Sequence, residues 1–146
     1  MKKIVITLAL ILSLIFGLSQ ISLAKEVDED LKIKIIDFYK GNEDPESKAY
    51  KSWKDGMMKE HLLDLHKVTV AIEFLSQDER EEDIGVSILM TVTGYGMTFD
   101  NQKKRVISVR GLIVVINKET RNILGGLQVY RNRNKVTDGW NEPQEI

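Results

Sequence analysis

The chain has 146 residues, 42% hydrophobic and 29% charged, with a formal net charge of −1, a size and balance suited to one globular unit. So small a net charge speaks against a dedicated nucleic-acid binder, whose domain is usually strongly basic. The absence of cysteine excludes disulfide staples, a thiol nucleophile and a lipid-modified cysteine.

The chain opens with the three parts of a secretory signal. Lys2 and Lys3 are a positive leader, Ile4 to Leu18 is an apolar run, and Ser22-Leu23-Ala24 offers the small residues that a signal peptidase reads. Cleavage after Ala24 places residues 25–146, as one exported domain, in a periplasm or outside the cell. The competing reading is an uncleaved membrane anchor, since the apolar stretch from Ile4 to Leu23 approaches the roughly 20 residues that span a bilayer. Beyond the signal the charge is unevenly spread. Residues 25–99 carry 10 Lys/Arg against 17 Asp/Glu, whereas residues 100–135 carry 9 against Asp100 and Glu119 alone.

From Asp28 the chain begins with acids suited to a helix N-terminus and reaches Gly41, a natural C-cap, with Leu31, Ile35 and Phe38 at helical spacing. A short strand is the alternative, because Leu31, Ile33 and Ile35 also alternate with Lys32 and Lys34. Asn42 to Ser47 reads as a loop. Within it, Asp44-Pro45-Glu46 resembles a cap, a first-position proline and a first-turn acid, which predicts a second helix. Tyr50, Trp53, Met57, Leu62 and Leu65 form its stripe as far as His66, with Gly56 marking a kink or a break.

Val68, Val70, Ile72 and Phe74 alternate with polar or small residues, the pattern of a half-buried strand. Gln77 to Asp83 reads as a polar connection. The second strand begins at Ile84 and keeps one parity to Val92; Tyr95, Met97 and Phe99 then occupy the other, which predicts a bulge or bend at Gly94 to Gly96. After a turn at Asp100 to Lys104, Arg105 to Ile116 is a third strand. Leu112 to Ile116 is apolar on both parities, so that strand is expected to be central and covered on each side. A turn at Asn117 to Asn122 leads to a fourth strand, Ile123 to Arg131, and the tail holds an Asp138-Gly139 turn and Trp140. Helices first and then sequential strands imply an α+β fold. Two helices lie on a curved four-stranded antiparallel sheet, and its shape suggests a cystatin-like or cone-like half-barrel.

Candidate sites form two sets. Lys103, Lys104, Arg105, Arg131, Arg133 and Lys135 make a basic set, with Trp140 as an anchor, that would meet an acidic partner; charged residues guarding a sheet edge are the plainer reading. His61, Asp64, Glu73 and Tyr95 make a pocket set between the helices and the concave sheet. His61 and His66 are five residues apart, about 140° around a helix, which is unlike a zinc motif. Serine-elbow and phosphate-loop motifs are missing as well. No cofactor or metal is therefore expected. The leading expectation is an exported, non-enzymatic binding or assembly protein whose partner is another envelope or secreted protein rather than nucleic acid. Membrane attachment follows only if the signal is retained. The alternative is a ligand-binding or enzymatic domain built on the pocket set.

Overall fold

The computed structural model describes residues 25–132 and 134–139. Residues 1–24, where a signal was expected, Arg133 and Trp140 lie outside the described residues. Helix α1 spans Glu29–Lys40, a 3-10 turn spans Gly41–Glu43 and helix α2 spans Lys48–His61. Five strands follow: β1 Asp64–Glu79, β2 Asp83–Met97, β3 Lys103–Asn117, β4 Ile123–Arg131 and β5 Lys135–Asp138. The class is α+β, with an antiparallel sheet ordered β1-β2-β3-β4 and β5 pairing with β3 beyond the end of β4.

Helix wins over strand in α1 because Leu31, Ile35 and Tyr39 form one buried row. Phe38, expected in that row, is instead exposed and meets the Tyr39 ring edge-on. Helix α2 is capped by Ser47, whose hydroxyl accepts the Tyr50 amide at 3.1 Å. Asp44, expected to be the cap, instead accepts the Glu46 amide at 3.0 Å in the preceding turn. Gly56 neither breaks nor ends α2. The helix stops at His61, short of the expected His66, because Leu62 adopts a left-handed conformation with φ 52°. Leu65 and His66 consequently belong to β1.

Strand β1 runs through the acidic stretch expected to be a connection, and its inward parity changes twice. One extra residue, His66, lies between the pairs Leu65/Gly96 and Lys67/Tyr95; another, Leu75, lies between Phe74/Ile88 and Ser76/Ser87. Each bulge transfers the buried row to the other parity, from Leu65 to Val68 and Val70, then to Gln77. A bulge or bend was expected at Gly94 to Gly96; the ladder is irregular there, but the extra residue is His66 on β1, opposite Tyr95 and Gly96, and not a residue of β2. The β2 and β3 register is unbroken from Asp83/Asn117 to Met97/Lys103, and even-numbered β2 residues stay buried throughout. The two glycines occupy inward positions where side chains do not fit. A Cβ on Gly94 would lie 2.9 Å from Leu65 Cδ2, and one on Gly96 would lie 2.3 Å from the Asp64 carbonyl oxygen. Tyr95 and Met97 simply belong to the opposite face.

The core lies between that inward face and the two helices. Leu31, Ile35, Tyr50, Met57, Val86, Ile88, Val106, Val114 and Ile116 are all buried there. Strand β3 is flanked on both sides, as expected. It is not covered on both faces, however, because α1 and α2 pack on one face only. Ile113 and Val115 remain half-buried on the other, where no described element lies over them.

Candidate functional site

The two edges of the sheet differ. Beyond β1, Lys25 and Gln77 exchange backbone hydrogen bonds at 3.1 and 2.9 Å. The Glu43 carboxylate accepts the Val70 amide at 2.7 Å, and the Lys54 ammonium donates to the Leu65 carbonyl at 2.8 Å. These contacts occupy backbone groups of that edge that could otherwise pair with another strand. Strand β4 has bulges at Leu124 and Val129 but nothing described on its far side. Leu124, Leu127, Val129 and Tyr130 are 62, 59, 50 and 52% exposed. Leu127 and Tyr130 pair with Ile113 and Gly111, and so share the helix-free face with Leu89, Val109 and Ile113. The apolar surface of that face thus runs on to the open edge.

The basic set does not form one patch. Lys104 is neutralised by an ion pair with Asp138. Arg105 lies on the helix-free face opposite Tyr95, with its Nε buried and, among the described residues, without a hydrogen-bond partner. Lys103 opens β3 and accepts the Gly139 amide at its carbonyl. Lys135 pairs with Ile107 and so shares its outward face, whereas Arg131 pairs with Arg110 on the helix side. Arg131 ends β4, whereas Lys135 begins β5. Arg133 and Trp140 are not among the described residues.

The pocket set is divided as well. Asp64 is exposed and pairs with Lys54 at 2.6 Å, while Glu73 and Tyr95 face away from the helices, opposite Leu89 and Arg105. His61 alone lies on the helix side, 3.8 Å from the Glu60 carboxylate. It lines an open cleft of about 550 Å³ with Glu60, Arg131, Asn132 and Asn134. His61 from one expected set and Arg131 from the other therefore line the same cleft. Among the described residues no group of three or more His, Asp or Glu side chains could hold a metal ion.

Arg110, which pairs with Arg131 across β3 and β4 without itself lining that cleft, was not among the expected site residues. It occupies an inward position between Ser108 and Leu112, lies over the Trp53 ring at 5.9 Å, and reaches the Ser108 hydroxyl from Nε at 3.5 Å. Burial, and then the neighbouring Arg131 charge, hold its guanidinium below the ordinary arginine value. A charged residue at an inward position of an apolar strand is a signal that period-two reading can detect. No family model, no curated protein and no solved structure matches this chain.

Proposed function

We propose that the protein is an exported, non-enzymatic binding module that receives an extended segment of another envelope or secreted protein along the edge of β4. The contrast between the two edges is the observation that carries this reading. A guarded β1 and an apolar β4 with no described neighbour are the pattern expected where one edge is reserved for strand addition. In that mode main-chain hydrogen bonds supply affinity. Alternate side chains of the incoming strand would lie against Leu127, Tyr130 and Ile113 on the helix-free face. Arg131 and Lys135, near the end of that edge, would favour a segment with acidic residues there.

Export rests on the residues of Met1 to Ala24. We read the architecture as a cystatin-like or cone-like half-barrel, because the bulges in β1 and β4 are the devices that bend strands. That likeness is one of shape, which does not fix a function.

The test places a photoreactive residue at Leu127 or, as a control, at Ala71 on β1, in cells that export the protein. The Leu127 probe is expected to capture one partner. Leu127→Lys with Val129→Lys should abolish capture while leaving the unfolding midpoint unchanged. Equal capture from Ala71, or capture that survives the double substitution, would contradict the reading. Intact mass of the exported chain should begin at Lys25; a species starting at Met1 would contradict cleavage.

A further inference from the structure

On the helix side of the sheet, Arg110 and Arg131 are directly paired across β3 and β4. Neither guanidinium has a carboxylate partner among the described residues, although acids elsewhere are widely used: Asp28 and Asp30 by Arg121, Asp83 by Arg80, Asp138 by Lys104. Two like charges side by side, one of them half-buried over Trp53, are unfavourable unless an anion joins them. The cleft that Arg131 lines gives such a group room and an approach from solvent.

We propose that Arg110 and Arg131 form a receptor for a single carboxylate group, whatever occupies the β4 edge. Planar guanidinium forks match a carboxylate, and two of them can hold its two oxygens from adjacent strands. The Glu60 carboxylate lines the same cleft, and its repulsion favours a monoanion over a phosphate dianion. Asn132 keeps the geometry fixed, since its side-chain oxygen accepts the Val109 amide at 2.9 Å and its own amide donates back to the Val109 carbonyl at 3.1 Å. The carboxylate can come from a free small acid or from a peptide, and the two sources are separable.

The test follows the Arg Nε–H resonances of the full exported chain by NMR at constant ionic strength in chloride. Acetate, inorganic phosphate and two peptides are titrated, one with a free C-terminus and no acidic side chain, the other amidated with a single Asp. Saturable shifts at Arg110 and Arg131 are expected with the carboxylates and weaker ones with phosphate. Peptides binding about tenfold tighter than acetate would identify a peptide source, and equal affinity a free acid. Arg110→Lys, which keeps the charge but loses the fork, should weaken binding by about tenfold or more. Arg131→Gln should act likewise, whereas Lys48→Gln, at the far end of α2 from His61, should not. An unchanged thermal midpoint in each variant separates lost binding from lost fold. Absence of saturation, or full binding by both arginine variants, would overturn the proposal. The strand-addition reading has its own variants, Leu127→Lys and Val129→Lys, so either can fail without the other.

Discussion

At the scale of single residues the sheet depends on two missing side chains. The Gly96 position lies against the Asp64 carbonyl of β1, which is backbone and cannot rotate away. Gly96→Ala is therefore expected to destabilise by about 1–3 kcal/mol or more in chemical denaturation. Gly94→Ala presses on the Leu65 and Trp53 side chains and should cost less, because those atoms can shift. Gly125→Ala, with nothing within 4 Å of its added methyl, should be close to neutral. The sequence shows these glycines plainly, but reading them as a bulge treats their lack of a side chain as a loss of pattern. They keep the inward parity of Val92, and only the partner backbone reveals why nothing larger fits. Arg110 was legible in the same way, as a charge on an apolar row. Its pairing with Arg131 was not, because the extra residue at Val129 sets the β4 register.

At the scale of elements, each helix is fixed by its first turn. Ser47→Ala removes the hydroxyl that accepts the Tyr50 amide, and should lower stability by about 0.5–2 kcal/mol. Sequence misplaced this cap because Asp44-Pro45 carries the stronger familiar signal. It also missed the end of α2, because a left-handed Leu62 has no glycine to announce it. Helix α1 is held by a charged clamp. Gln77 and then Arg121 depress the Asp28 carboxyl, Arg121 depresses Asp30, and Lys25 depresses Glu79 below their ordinary values. Acids whose folded values are depressed contribute stability that is present above their unfolded values and lost as pH falls through the folded ones. The unfolding midpoint should thus hold from about pH 7 to about pH 5 and fall below that, and Asp28→Asn with Asp30→Asn should flatten part of the fall. These groups are exposed or partly exposed, so salt should weaken the clamp. An acid limb identical in the double variant would show that the clamp contributes nothing.

At the scale of the whole molecule, helix count, strand sequence and antiparallel order were legible from periodicity, since each hairpin turn is short and polar. The missing fifth strand and the uncovered face have physical reasons. Strand β5 has only four residues, too few for a period-two signal to stand out from a tail. Leu112 to Ile116 is apolar on both parities, which ordinarily means burial on both sides; here one of those faces is helix-free and continues to an open edge. We propose β4 as the edge held open for another strand. This role is tested most directly by amide hydrogen exchange on the protein alone and in its captured complex. Amides of β4 not paired with β3 should exchange rapidly in the free protein and become protected in the complex. The Val70 amide, already bonded to Glu43, should be slow in both. Unchanged exchange along Ile123–Arg131 on complex formation, or new protection confined to β1, would contradict it.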